Sequence, residues 1–454
     1  MVNVLNQFSG GMSQDDQFIG KGQYIYSHGF DVTRSPWEFK AMPPIVEEFD
    51  NSLNTWNYQI TSIFPNATNT DVWVGTADWK IRDLDWSLIA NIWTSENIQD
   101  ATLFLWKYYV FAQSNVYKYT PSWWWLTGWT GLWVWNNPYY QHPAIYQWWE
   151  MFFWNGNNVL FIDSTEVVDT LFTNDFTYPV KAVTIQGSNL RIYTDYLLSI
   201  VDIGSKTVTY SQVLPFVVNW VKSDWIVDYA ITDADEMYIC SWLEYRKICE
   251  KTYSETLLNY SVYPSKFTFK SAYNATTISI ANWRVYTIDK TAPRFLIYGK
   301  KMEWLPMAFS YWPIHTSSWV SITNFSAIYS EKNKIYVGYT AAWNNYVWSI
   351  NIDSENQNTC YEAVLITWEN DFWDFSLEKQ MNEIRVGKEW TTATLWSSVD
   401  GWSFEQIDTL DQTEIENKTL DFKSVFRKIA LMFKLNATWE KIINADIRFT
   451  KNQL

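Results

Sequence analysis

Residues 334–353 read KIYVGYTAAWNNYVWSINID, in which two short strand-like runs flank the polar turn Trp343-Asn344-Asn345. Apolar and polar residues that alternate with a period of two are typical of a half-buried β-strand. Two such runs around a short polar turn indicate a β-hairpin. The apolar, Tyr, apolar core Ile335-Tyr336-Val337 gives this hairpin one face to bury, so it predicts an element that needs a packing partner.

Similar hairpin units recur along the chain, six of them upstream of this one. They are DVWVGTADWKIRDLD from Asp71, KYYVFAQSNVYKYT from Lys107, EMFFWNGNNVLFID from Glu150, NLRIYTDYLLSIVDI from Asn189, EMYICSWLEYRKICE from Glu236 and NWRVYTIDKTAPRFLIYGK from Asn282. Successive units start 36 to 52 residues apart, close to the roughly 40–50 residues of one four-stranded propeller blade. The spacing predicts an all-β protein, a six- or seven-bladed β-propeller. A long β-sandwich or a β-helix is the alternative, although sandwich turns would recur without this longer period.

The two ends of the chain differ from the repeating middle. Residues 1–60 lack strand periodicity and predict an irregular N-terminal arm that docks on other subunits, while residues 61–380 contain the repeats of the propeller. From Met381 the sequence MNEIRVGKEWTTATLWSSVDGWSFEQIDTL has three strand-like runs and a tight turn. Residues 381–454 therefore predict a small C-terminal β-sandwich.

Composition and motifs argue against several classes of protein. The 454 residues contain three Cys and three His and carry a formal net charge of −15. So few Cys and His predict no disulfide framework and no metal site. The acidic balance argues against binding of nucleic acid by the outer surface, which needs Lys and Arg. There is no nucleotide-binding or hydrolase motif, no apolar run of membrane-spanning length and no N-terminal signal pattern. We therefore expect a protein that is not an enzyme, has no cofactor or metal and is not anchored in a membrane.

Six aspartates lie at the ends of strand-like runs, where a carboxylate pair for glycoside hydrolysis could in principle form. They are Asp83, Asp85, Asp163, Asp202, Asp289 and Asp353. We expect each to be a turn residue that binds its own backbone, because Asp favours such turns.

Tryptophan and glycine occur in unusual numbers. The chain has 31 Trp and 15 Gly, whereas average usage would give roughly 32 Gly. Many Trp residues occupy turns: Trp79 and Trp86 follow aspartates, Trp283 follows Asn282, and Trp154 precedes an Asn-Gly sequence. Glycine is the residue that such turns require when φ is positive.

This placement predicts an alternative genetic code, in which many of the Trp positions are UGA codons that the source organism reads as Gly. A minority, such as Trp37 or Trp56, would be genuine. The alternative is a Trp-rich surface that binds glycans. The codons themselves, UGA or UGG, distinguish the two.

The N-terminal sequence Phe8-Ser9-Gly10-Gly11-Met12-Ser13-Gln14 resembles the opening of tail nozzle (tail tubular) proteins of short-tailed bacteriophages. In those proteins a hydrophilic segment that ends in Pro-Pro follows about 30 residues later, as Gly29-Phe30-Asp31 through Pro43-Pro44 do here. The C-terminal run SVDGWSFEQI is similar to the β-sandwich that closes such virion propellers. The chain is shorter than the nozzle family, so the family's insertion domains are expected to be absent.

The resemblance implies a structural component of a phage virion in the tail or neck, assembled in the host cytoplasm. It implies a homo-oligomeric ring around a DNA channel, with portal, adaptor or tail proteins as partners and DNA that passes without sequence-specific binding. The residues that it assigns to assembly contacts are Phe8, Gly10, Gly11, Ser13, Gln14, Phe30, Asp31, Pro43 and Pro44. A glycan-binding or glycan-cleaving propeller, a tail adhesin or lectin that uses surface Trp, is the alternative.

Overall fold

The computed structural model describes the chain in stretches that include part of every predicted repeat. The described residues are 2–5, 11–12, 23–31, 39–40, 42–50, 58–92, 96–112, 115–122, 125–132, 142–147, 149–171, 178–234, 236–249, 278–282, 284–288, 294–299, 308–313, 322–341, 344–354, 363–367, 379–389, 393–400, 404–409, 416–420, 425–426, 429–435 and 441–451. Their regular structure consists of β-strands, 40 in all.

Five short strands precede the first repeat. They are β1 (Val2–Leu5), β2 (Gly11–Met12), β3 (Gln23–His28), β4 (Phe39–Lys40) and β5 (Ile45–Asp50). None of them pairs with its nearest neighbour in a hairpin, and four of the five pair with strands from the far end of the chain.

The repeats form four-stranded antiparallel sheets in which each strand pairs with the next. Blade 1 is β6 (Ile60–Pro65), β7 (Val72–Thr76), β8 (Lys80–Arg82) and β9 (Leu88–Asn91); blade 2 is β10 (Ile98–Phe104), β11 (Lys107–Ala112), β12 (Val116–Pro121) and β13 (Leu126–Gly131). Blade 3 is β14 (Ala144–Tyr146), β15 (Glu150–Asn155), β16 (Asn158–Ile162) and β17 (Val168–Thr170); blade 4 is β18 (Ala182–Gln186), β19 (Asn189–Tyr193), β20 (Leu197–Asp202) and β21 (Thr207–Val213). Blade 5 is β22 (Val218–Ser223), β23 (Asp228–Thr232), β24 (Met237–Ser241) and β25 (Glu244–Cys249); blade 6 is β26 (Ile278–Ala281), β27 (Arg284–Ile288), β28 (Arg294–Gly299) and β29 (Ala308–Pro313).

Blade 7 has three strands from the end of the repeat region and one from the beginning of the chain. The three are β30 (Ile322–Glu331), β31 (Lys334–Ala341) and β32 (Asn344–Asn351). The N-terminal strand β5 pairs antiparallel with β32 as the outermost strand, with Trp348 opposite Glu47. This pairing joins the two ends of the repeat region and closes the ring.

The first strands of the blades form the inner wall. β6 contacts β10 on one side and β30 on the other, and β14, β18, β22, β26 and β30 follow one another in contact. Blades 2 and 3 are joined by a buried cluster that includes Phe111 and Phe153, whose rings lie 5.7 Å apart. Blade faces that are apolar on both sides can be buried only against neighbours, so the described residues show seven blades in a closed propeller.

The C-terminal strands form two further sheets. They are β33 (Ala363–Thr367), β34 (Lys379–Glu389), β35 (Thr394–Val399), β36 (Glu405–Thr409), β37 (Glu416–Leu420), β38 (Val425–Phe426), β39 (Ile429–Leu435) and β40 (Lys441–Lys451). One sheet orders β3, β33, β39, β35 and β36, and it joins the outer strand of blade 6 through β3. The other has β40 at its centre, with β34, β1 and β4 as partners.

The N-terminal segment is therefore less irregular than the sequence indicated. β1, β3, β4 and β5 all lie within residues 1–60, yet each pairs with a strand near or beyond residue 344. Their pattern is hard to recognise because each strand is short and takes its partner from a distant part of the chain. The boundaries at residues 60 and 380 stay predictions, but strand pairing crosses both.

Candidate functional site

Four of the nine predicted assembly residues lie where their surroundings are described. Phe30 and Asp31 are buried, Pro43 is buried and Pro44 is half-buried. The structure describes only the backbone of Gly11, in β2. Phe8, Gly10, Ser13 and Gln14 lie outside the described residues. The structure brings the Phe30 and Pro43 regions together, because the N–H of Met42 donates to the carbonyl of Gly29 at 2.8 Å.

Phe30 and Asp31 make contacts with other residues of their own chain. The indole Nε1 of Trp312, in the outer strand of blade 6, donates to the carbonyl of Phe30 at 3.0 Å, and both side chains are fully buried. Asp31 helps to raise the pKa of Arg284 in the same blade, although burial acts in the opposite direction. These two residues therefore anchor the N-terminal segment to blade 6. The assignment of the nine residues to contacts with neighbouring subunits stays a prediction.

Twelve of the fourteen described indoles fall into two groups; of the other two, Trp129 is exposed in β13 and Trp396 is half-buried in β35. Five are buried in strands: Trp73, Trp154, Trp220, Trp312 and Trp348. Seven lie in the turns between strands: Trp79, Trp86, Trp106, Trp125, Trp149, Trp225 and Trp242. The sequence interpretation of Trp154 as a turn residue is wrong, since it is the fifth residue of β15 and pairs with Val159. Trp283, Trp343, Trp390, Trp402 and Trp439 lie outside the described residues.

Several turn indoles have a backbone conformation that disfavours large side chains. Within the described residues, thirteen non-glycine residues have positive φ, and five of these are Trp. They are Trp79, Trp86, Trp106, Trp225 and Trp242, with φ between 49° and 74°. Bulky residues are rare in this region because Cβ approaches the carbonyl oxygen. The observation agrees with glycine at these five positions.

The turn indoles also share one face of the propeller. In a four-stranded antiparallel blade, the first and third turns lie at one end and the second turn at the other. Six of the seven occupy first or third turns of blades 1, 2, 3 and 5: Trp86, Trp106, Trp125, Trp149, Trp225 and Trp242. Trp106 is 87% exposed and Trp242 is 67% exposed. With Trp at these positions, the chain therefore displays aromatic side chains at one end of the propeller.

The strand-end aspartates that the structure describes bind their own turns. Oδ1 of Asp83, Asp163 and Asp202 accepts hydrogen bonds from the N–H of Leu84, Thr165 and Ser205 at 2.7–2.8 Å. Asp85 does the same with Ser87. Asp353 donates its own N–H to Asn351, and Asp289 lies outside the described residues. Carboxylates held in this way shape turns.

A buried ion pair joins blades 4 and 5. Nε of Arg191 lies 2.8 Å from Oδ2 of Asp228, and the hydroxyl of Tyr193 donates to the same oxygen at 2.5 Å. Nη1 of Arg191 also donates to the carbonyl of Trp242 at 3.0 Å. Both charged side chains are almost wholly buried, so the group fixes the angle between two blades.

Among the described residues, two further kinds of site are absent. No group of three or more His, Cys, Asp or Glu side chains there is close enough to hold a metal ion. The same part of the chain contains no helix that is long and apolar enough to cross a bilayer.

No protein-family model and no curated protein matches this chain. Three solved structures are similar in fold. Catalytically inactive virginiamycin B lyase from Staphylococcus aureus with quinupristin has 10% identity and a TM-score of 0.48 over 67% of this chain and 98% of its own. A streptogramin B lyase structure has 10% identity and a TM-score of 0.46 over 70% and 100%. The Cps50 (Swd1) β-propeller domain of Myceliophteria thermophila has 11% identity and a TM-score of 0.46 over 66% and 99%. The assignment of the fold therefore rests on the strand pairing described above, which shows a β-propeller with an added two-sheet module.

Proposed function

We propose that this protein is a non-enzymatic structural subunit of a tailed-phage virion that assembles into a ring around the DNA channel. One observation carries the proposal: the segment with the nozzle-like motif is built into the C-terminal sheets. β2, which contains Gly11, pairs with β3, and β3 links the outer strand of blade 6 to β33. Gly11 and Met12 of the motif thus belong to one module with the C-terminal sheets, on the outer edge of the propeller.

A module on one edge suits a ring of identical subunits. Closed rings form through head-to-tail contacts between two different surfaces of each subunit. The module at blade 6 supplies one such surface, and a blade on the far side of the propeller supplies the other. The net charge of −15 supports passage of DNA, because acidic walls repel phosphate and release no counterions.

Assembly of the purified full-length chain tests this function. Mass photometry of the chain, alone and mixed with a purified phage portal protein, should show one closed ring species. A variant with F8A, S13A and Q14A should keep the thermal midpoint of the parent but remain monomeric. A control with V208A and V213A, on the exposed edge strand β21, should still form rings. A full-length chain that stays monomeric under both conditions and is absent from purified virions would overturn the proposal.

Deletion is a less direct test than these point variants. Removing residues 1–44 leaves β5 in place, so the propeller stays closed and the chain should remain a folded monomer. The C-terminal sheets, however, lose β1, β3 and β4. Loss of assembly in the deletion variant would therefore report damage to the module as well as loss of the motif.

A second function, glycan binding, is favoured by the six turn indoles that share one face. Stacking of sugar rings on exposed indoles would make that face a lectin-like surface, in a tail adhesin or a cellular protein. The coding sequence separates the two functions: UGG at these positions supports glycan binding, and UGA removes the indoles from the natural protein. Fluorescence quenching by a panel of oligosaccharides provides the direct measurement.

A further inference from the structure

Three ionisable side chains from three blades meet near the axis of the propeller. Asp100 comes from β10 in blade 2, His142 lies two residues before the start of β14 in blade 3, and Lys222 comes from β22 in blade 5. These strands are the innermost of their blades. Blade 5 is not a neighbour of blade 2 or blade 3, so the side chains meet across the central channel.

The contacts form a chain of hydrogen bonds. Nδ1 of His142 contacts Oδ2 of Asp100, and Nζ of Lys222 lies 2.5 Å from Nε2 of His142. A neutral imidazole with its proton on Nδ1 satisfies both neighbours, since it donates to the carboxylate and accepts from the ammonium group. Oδ1 of Asp100 is held by the N–H of Ala101 at 2.8 Å. Nζ of Lys222 also lies 3.3 Å from Nδ1, so the close approach of this cation favours an uncharged His142.

A second proton on His142 would break this series of hydrogen bonds. Nε2 would become a donor that points at another donor, and two positive charges would lie within hydrogen-bond distance. Burial is the main cause that lowers the pKa of His142, and the charge of Lys222 adds to it, while Asp100 acts in the opposite direction. Burial likewise lowers the pKa of Lys222 to about 8, against the effect of Asp100.

Among the described residues near the cluster, all but Glu331 are neutral or apolar. The ring of Trp220, in β22, lies edge-on to His142 with centroids 6.4 Å apart. Burial raises the pKa of the hydroxyls of Tyr108 and Tyr329, and the negative charge of Asp100 raises it further, so both hydroxyls remain uncharged. Glu331, which accepts from the hydroxyl of Tyr329 at 3.0 Å, is the further carboxylate on that side. His142 keeps 28% of its side-chain surface exposed, so protons reach it from solvent.

We propose that Asp100, His142 and Lys222 form a proton-sensitive clasp across the propeller axis, closed while His142 is neutral and opened when it is protonated. This inference goes beyond the proposed function and holds for any role of the protein. The clasp crosses the axis of the propeller, so a DNA path in an assembled ring would lie between subunits. Acid would loosen the link between blade 5 and blades 2 and 3 without breaking a covalent bond.

Proton NMR of the full-length chain tests the contact directly, because there are only three histidines. The C2–H resonance missing in H142Q identifies His142. Its pKa should lie below the ordinary value of 6.5. It should rise in K222M, where the neighbouring cation is gone, and fall further in D100N. A pKa at or above 6.5 in the parent, or one that does not respond to K222M, would overturn the clasp.

Urea unfolding between pH 8 and pH 5 tests the consequence. The unfolded chain binds a proton at His142 more readily than the folded chain, so stability is lost as the pH falls through 6.5. H142Q, whose amide both donates and accepts, should lose less of its urea midpoint over this range than the parent and H315Q, which controls for removal of a histidine elsewhere. Equal losses in all three proteins would count against the clasp. If H142Q does not fold, K222M should show the reduced loss instead.

Discussion

Replacing the five indoles at positive φ by glycine should stabilise this protein. The positions are Trp79, Trp86, Trp106, Trp225 and Trp242. Large-to-small changes usually destabilise, but these side chains lie in turns, and four of the five are at least 39% exposed. Their backbone conformation is the one that glycine adopts without cost.

The expected gain follows from two opposing effects. A non-glycine residue in the left-handed region costs roughly 1–2 kcal/mol. Glycine removes this strain, but it also destabilises the folded state by roughly 0.5–1 kcal/mol, because the unfolded chain gains conformational freedom. The net gain is about 0.5–1 kcal/mol per position, and smaller at Trp86, whose ring lies 4.6 Å from the Arg82 guanidinium. Distant sites add, so the five changes together should raise the free energy of unfolding by about 2.5–5 kcal/mol.

Urea denaturation followed by far-UV circular dichroism measures this gain without relying on indole fluorescence. The matched control changes Trp125, Trp129 and Trp149 to glycine, since these indoles are also exposed but lie outside the set with positive φ. The control should be no more stable than the parent. If the five-glycine variant gains nothing relative to this control, backbone strain at the indoles is not real, and the inference of recoded glycines loses its structural support.

Three further predictions concern single buried side chains. W312F should lower the free energy of unfolding by about 1–2 kcal/mol, because it removes the hydrogen bond to the Phe30 carbonyl. W154F should lower it less, because Nε1 of Trp154 has no partner among the described residues. Equal losses in thermal unfolding would contradict this. D228N should lower the free energy of unfolding by about 3–5 kcal/mol, because it removes the counter-charge of buried Arg191. The double variant R191M/D228N should recover much of that loss. An unchanged urea midpoint in D228N would refute the prediction. Burial raises the pKa of Cys240 to about 12, so its thiol should resist iodoacetamide at pH 8 until the protein unfolds; peptide mass spectrometry would expose early labelling.

The repeats were predictable because a strand pattern is local. Burial in β7, where all five residues from Val72 to Thr76 are buried, and of Leu190, Ile192 and Tyr193 in β19 follows from apolar residues in short runs. The aspartate turns were predictable for the same reason, since Asp83 and Asp202 bind backbone groups one to three residues away. The placement of Trp154 was not, because a strand can extend into a sequence that looks like a turn.

The sequence by itself determined the all-β class, the blade-length repeat, the tight turns and the strange placement of indoles within them, since each depends on residues that are close together in the chain. Only the tertiary structure decided that β5 closes blade 7, that Phe30 is buried against Trp312, and that Asp100, His142 and Lys222 meet on the axis. These contacts join residues from 42 positions apart, as in Asp100 and His142, to 305 positions apart, as in Ile45 and Ile350. A strand pairs with whichever edge the finished ring leaves open, and side chains meet on an axis only after every blade is in place, so no local pattern could encode either result.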